Sequence, residues 1–78
     1  MKWTYKFETP IMLKDGRSIV SLVHARDLLI DLPALRAERP HWQQTTDRLF
    51  EAARTGRPDT IAWAYTQLML ALKTDGLV

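Results

Sequence analysis

A chain of 78 residues, 46% hydrophobic and 26% charged, has the composition of a folded protein with room for one small core and no second domain. It has no cysteine, which excludes disulfide staples, thiolate zinc sites, iron–sulfur clusters and cysteine nucleophiles. The formal charge of +2 comes from eleven Lys and Arg spread from Lys2 to Lys73 among nine acids, too diffuse to announce nucleic acid.

Trp3, Tyr5 and Phe7 alternate with Thr4 and Lys6, the period of two that marks a half-buried extended segment, either an extra strand or an arm. Pro10 cannot donate to a ladder and belongs at a strand's start or edge. Ile11-Met12-Leu13-Lys14 and Arg17-Ser18-Ile19-Val20-Ser21 flank Asp15-Gly16, the pair suited to a two-residue type I′ turn, in which both centres take positive φ. That turn sets Met12 against Ile19 and Lys14 against Arg17 on one face, with Ile11 against Val20 and Leu13 against Ser18 on the other. Both faces then carry apolar residues, and both are expected to be covered in part.

Ser21 is placed to cap a helix that Pro33 stops at about Leu32. Leu22, Ala25, Leu28, Leu29 and Leu32 form its apolar face, while Val23 and Ile30 fall on the opposite side. Pro33 to Arg39 is a polar connection around Leu35. A second helix begins at Pro40, with Trp42, Thr46, Leu49 and Ala53 inward, Phe50 beside them, and Gly56 supplying the left-handed residue that ends it. A third starts with Asp59 as N-cap and turns Ile61, Ala62, Tyr65, Leu68, Met69 and Leu72 inward. Gly76 at C′ ends it, with Leu77 folding back on Leu72. The fold expected is α+β: one domain over 1–78, with a strand and hairpin part over 1–21, an extra N-terminal strand optional, and three helices over 22–78.

Catalytic patterns are sparse. His24, Asp27 and Asp31 share a helix side and are metal-ligating types, but no HExxH or similar spacing supports them, and a solvated face with local ion pairing is the simpler reading. His41, the other histidine, stands beside Pro40 as a surface or capping residue. The glycines are isolated at turns and caps and form no phosphate-binding loop. Neither enzyme activity, a cofactor nor a metal is expected. Arg36, Arg39, Arg48, Arg54 and Arg57 form a candidate basic rim for nucleic acid, interrupted by Glu38, Asp47 and Glu51, which would repel phosphates. The strongest anomaly is apolar. Trp63 and Leu70 sit about 150° from the inward stripe of their helix at ~100° per residue, and Val23 with Ile30 repeats the pattern on the first helix. Exposed apolar patches mark partner surfaces; the alternative is that these helices are sandwiched within the monomer between the hairpin and another helix, with Trp63 internal.

Several landmarks recur in order: Lys2-Trp3, Phe7 before Pro10-Ile11, Asp15-Gly16-Arg17, Ser21 before the Ala25 to Leu29 helix, Leu32-Pro33, Ala52-Ala53-Arg54-Thr55-Gly56, Ala71, and Asp75-Gly76-Leu77-Val78. This order, over nearly the whole chain, resembles a family of short bacterial proteins known only as domain of unknown function 982. The chain departs from it with Leu32 before Pro33 where a tryptophan is usual, and with Trp63 and Tyr65 where small residues are usual. The resemblance implies a fold and a bacterial origin and no mechanism. The roughly 7–15-residue apolar run of a signal peptide and the ~20 of a bilayer span are both missing, so a cytoplasmic location without membrane contact is expected. The residues point to a non-catalytic homodimerising or protein-interaction module with Val23, Ile30, Trp63 and Leu70 as candidate interface. The alternative is a nucleic-acid-binding module using the five arginines.

Overall fold

The computed structural model describes residues Met1–Val78. A two-stranded antiparallel hairpin, β1 (Lys6–Met12) and β2 (Ser18–Ser21), leads directly into α1 (Leu22–Asp31). A single helical turn α2 (Ala34–Ala37) and the long helices α3 (Pro40–Thr55) and α4 (Pro58–Thr74) follow. The architecture is therefore α+β as expected. The extra helix α2 lies within the stretch expected to be a polar connection, and none of its residues is buried.

The hairpin corrects the expected turn. Ile11 pairs with Ile19 and Met12 with Ser18, one residue out of the type I′ register. Among Lys14, Asp15 and Gly16, only Gly16 has positive φ, at 92°, whereas a type I′ turn needs two such residues. The Gly16 amide donates to the Leu13 carbonyl at 3.1 Å and the Leu13 amide to the Arg17 carbonyl at 2.8 Å, which describes a three-residue loop with a left-handed glycine. Asp15 reinforces it by accepting from the Arg17 amide at 2.9 Å and from its guanidinium at 2.6 Å. A slip of one residue exchanges faces, so Ile11, Leu13 and Ile19 are all buried while Met12 and Ser18 are exposed. One face is covered here and the other wet, instead of both being half covered.

Further along β1, residues 7–10 bulge opposite the single residue Val20, between the Lys6–Ser21 and Ile11–Ile19 pairs. The bulge absorbs Pro10 and turns Glu8, Thr9 and Pro10 outward, while Phe7 stays buried with its ring edge on Tyr65 at 5.5 Å. Residues 2–5 form an arm, not a strand. The carbonyls of Tyr5 and Trp3 accept from the first two amides of α1, Leu22 and Val23, each at 2.9 Å. Ser21 has the extended backbone of an N-cap but makes no side-chain cap bond; the arm satisfies the Leu22 and Val23 amides in its place. His24, at the third helical position, reaches back with Nδ1 to accept from the Val20 amide at 3.2 Å.

α3 and α4 form an antiparallel pair around the two-residue connection Gly56-Arg57. Proline is the first residue of each, where its missing donor costs nothing. Pro58 thus moves the start of α4 ahead of the expected cap, and Asp59 sits in the first turn, beside the positive helix end. The buried face of α4 is also rotated from the expected stripe. Thr60, Ala64, Leu68, Ala71 and Leu72 are deepest, Ile61, Tyr65 and Met69 are half-buried, and Ala62 is exposed. Small residues let helix axes approach, and Ala64 and Ala71 are buried with Ala52 and Ala53 of α3 in one core cluster. The C-terminus closes as expected: the Leu77 amide donates to the Leu72 carbonyl at 2.8 Å and the Gly76 amide to Lys73 at 3.1 Å, with Gly76 at φ 71°, the paired bonds of a Schellman motif.

Gly56 carries two constraints at once. Its φ is 64°, and a Cβ there would overlap the Tyr5 hydroxyl and ring, while the Lys2 amide holds the arm to the Ala53 carbonyl at 3.0 Å. Gly56→Ala is expected to cost about 1–2 kcal/mol from the left-handed backbone and more from displacing Tyr5. In a Tyr5→Ala background the second contribution disappears, so denaturant midpoints of the four proteins should be non-additive. Additive midpoints would mean the arm does not rest on this turn.

Candidate functional site

Two features stand out from the ordinary surface. The first is a clasp around Asp75, at the C-cap of α4, whose side chain is 1% exposed. Trp42 Nε1 donates to Oδ2 and His41 Nε2 to Oδ1, the latter at 3.1 Å. Arg39 Nη1 reaches Oδ1 at 3.1 Å and Arg36 Nε lies 3.6 Å from Oδ2. These donors come from α2, the linker after it and the first turn of α3, so one carboxylate joins three segments. Asp75 is covered by its own donors more than by depth in the domain. Burial pushes its carboxyl upward, but the hydrogen bonds from Trp42 and His41, with the charge of Arg39 behind them, outweigh that and hold it below its ordinary 3.8.

The clasp accounts for residues that the sequence placed elsewhere. His41 is half-buried and bonded to Asp75. Arg36 and Arg39 bind a carboxylate of their own chain, and so do Arg54, to Glu51 at 2.6 Å, and Arg57, to Asp59 at 3.2 Å. The Arg54 contact draws Glu51 below the usual carboxylate range. Arg48 lies over the Trp63 ring at 5.6 Å. Four of the five arginines therefore hold carboxylates of the chain, two of them the same Asp75, and Arg48 lies on an aromatic ring. His24 spends Nδ1 on the Val20 amide, and Asp27 lies 3.9 Å from Arg26. No three side chains of the His, Asp and Glu types are grouped to hold a metal ion.

The second feature is the outward face of α4. Trp63 and Leu70 are each 56% exposed, as their spacing implies. Ala62, Thr66, Asp59 and Lys73 are exposed with them, giving a strip that is uncharged from Ala62 to Leu70 and carries an acid near one end and a base near the other. Beside it, Gln44, Asp47, Arg48 and Glu51 of α3 form with Trp63 and Gln67 a shallow groove of about 530 Å³. Gln67 Nε2 is covered there without a hydrogen-bond partner in the chain. On α1, Ile30 is 71% exposed; Val23 is half-buried, with its amide bonded to Trp3. The candidate interface residues thus fall on two helices, and α4 gathers the larger apolar area.

Asp75 and its donors escape a reading by motif because no local pattern joins them; the donors that hydrogen-bond to it stand 33 to 36 positions earlier. Thr66 and Ala62 carry no signal individually and gain meaning only from the rotation of α4. No helix is long and apolar enough to cross a membrane. Comparison of the chain with protein-family models, with curated proteins and with solved structures finds no match.

Proposed function

We propose that the chain is a non-catalytic, cytoplasmic interaction module that associates through the outward face of α4, with a second copy as the partner. The observation that carries this reading is the exposure of Trp63 and Leu70 on a stretch of α4 with no charged residue between Asp59 and Lys73, beside which Arg48 of α3 lies over the Trp63 ring at 5.6 Å. Aromatic enrichment and charge depletion are the marks of an interface centre, and tryptophan is the side chain most often found dominating binding energy. A domain with so small a core also gains proportionally from added buried area.

A nucleic-acid role through Arg36, Arg39, Arg48, Arg54 and Arg57 has less support, because four of these guanidiniums already hold carboxylates of the chain with which phosphate would compete. The resemblance to domain of unknown function 982 brings no mechanism to either reading. Light scattering over a concentration series tests the proposal. A mass rising toward two chains at about 100 μM is expected for micromolar association, and a single-chain mass throughout would refute it.

A further inference from the structure

The arrangement of residues along α4 specifies how the second copy sits. At ~100° per residue, Asp59, Ala62, Trp63, Thr66, Met69, Leu70 and Lys73 fall within about 60° of the direction of Thr66. Asp59 and Lys73 stand seven residues to either side of Thr66, about 10 Å along the axis in each direction at ~1.5 Å per residue. Two identical helices meeting face to face across a two-fold axis run either parallel, with each residue against its own copy, or antiparallel, with residues on one side of the centre against those on the other. The parallel arrangement sets Asp59 against the partner's Asp59 and Lys73 against the partner's Lys73. The antiparallel one sets Asp59 against the partner's Lys73 at both ends.

The apolar residues agree with the charges. About an axis at Thr66, the antiparallel arrangement lays Trp63 on the partner's Leu70 and Ala62 on the partner's Met69, twice each, with Thr66 near its own copy at the centre. Large meets small or flexible at each contact, as interdigitating surfaces require. Resting on the reading of this face as a self-association surface, we infer that the protein forms an antiparallel α4–α4 dimer with its two-fold axis at Thr66.

Existing contacts permit this once the flexible Arg48 side chain, 5.6 Å over the Trp63 ring, shares that ring with the partner's Leu70. Asp59 accepts from Arg57 through Oδ2 at 3.2 Å and from the Thr60 amide through Oδ1 at 2.9 Å, but Arg57 is 68% and Asp59 47% exposed, so the ion pair is weak and Asp59 retains capacity for a second cation. The Thr66 hydroxyl is turned to the Ala62 carbonyl at 3.1 Å, leaving its methyl for the contact.

Charge exchange tests the geometry. Asp59→Lys and Lys73→Glu should each weaken self-association about tenfold, since each places two like-charge pairs at the rim. Mixing the two variants should restore association as a heterodimer, because both of its end contacts are then opposite in sign. A second measurement is insensitive to the cost of reversing charge on a helix. In a chain free of cysteine, a short thiol cross-linker should join an Asp59→Cys chain to a Lys73→Cys chain and join neither to itself. Association abolished by Leu70→Glu but indifferent to the charge variants, or cross-linking of Asp59→Cys to itself, would keep the surface and overturn the antiparallel geometry. A wild-type protein that is monomeric throughout would overturn both.

Discussion

Asp75→Ala should lower the stability of the domain by on the order of 2–4 kcal/mol, the largest effect expected of any single polar substitution here. Hydrogen bonds to a charged group contribute ~1.5–3 kcal/mol, and a buried donor left unpaired costs ~1–3. The substitution removes the acceptor of Trp42 Nε1, whose residue is 1% exposed. The two arginines keep access to water, so their loss adds little. A core of this size supplies roughly 3–5 kcal/mol, so the variant should be close to unfolded at room temperature. Denaturant titration measures it, and a midpoint equal to wild type would show that the clasp does not hold α2 and α3 to α4.

The same carboxylate gives a pH dependence of definite sign. Folding holds Asp75 below its ordinary 3.8, so the unfolded chain takes up the proton first as pH falls. Stability from this group is therefore complete above that ordinary value and is lost as pH drops through the depressed folded one. Asp75→Asn should be less stable than wild type at neutral pH, and the gap should narrow on acidification below about pH 4. Thermal melts at pH 6 and pH 3 compare them; a gap that widens in acid would contradict the assignment.

Leu70→Glu should abolish self-association while leaving the monomer's stability within about 0.5 kcal/mol of wild type. Leu70 is 56% exposed in the isolated chain, so a charge there meets water when the protein is alone. In the antiparallel dimer it lies under the partner's Trp63, where an unpaired carboxylate is costly to desolvate. Trp63→Ala should act in the same direction, weakening the dimer by at least tenfold by loss of the central aromatic. Loss of fold together with loss of dimer would place these residues in the monomer's core and end the association account.

Much of the fold was legible because its signals are local. Pro40 and Gly56 bound α3 by fixing φ at one end and tolerating a left-handed residue at the other, and Gly76 with Leu77 does the same for α4. Helical pitch sets Trp63 opposite the inward stripe, but pitch does not decide whether another element covers that side; the fold leaves it exposed. The hairpin register was not legible, since Asp15-Gly16 suits both a two-residue turn and the observed loop ending in a left-handed glycine, and the two differ by one residue. Nor was the true inward face of α4, because periodicity weights large side chains whereas close helix packing is decided by Ala64 and Ala71. The Asp75 clasp lay furthest out of reach. Of its donors, Arg36 and Arg39 read as part of a solvated basic rim, His41 as a surface or capping residue and Trp42 as core, and only the tertiary fold brings the C-terminal carboxylate beneath them. Ser21 reads as a cap by type, yet backbone carbonyls of the arm do that work.

If α4 carries the dimer, the Trp63 indole that is outward in one chain is covered by another. The protein has three tryptophans in distinct settings: Trp42 buried on Asp75, Trp3 half-buried with its ring 5.2 Å from Phe50, and Trp63 exposed. Following the three indole N–H resonances on dilution from about 1 mM to about 20 μM, a range that brackets dissociation constants of roughly tens to hundreds of micromolar, should show the Trp63 signal moving with concentration while those of Trp3 and Trp42 stay in place. Three resonances that hold their positions across the whole range would contradict it.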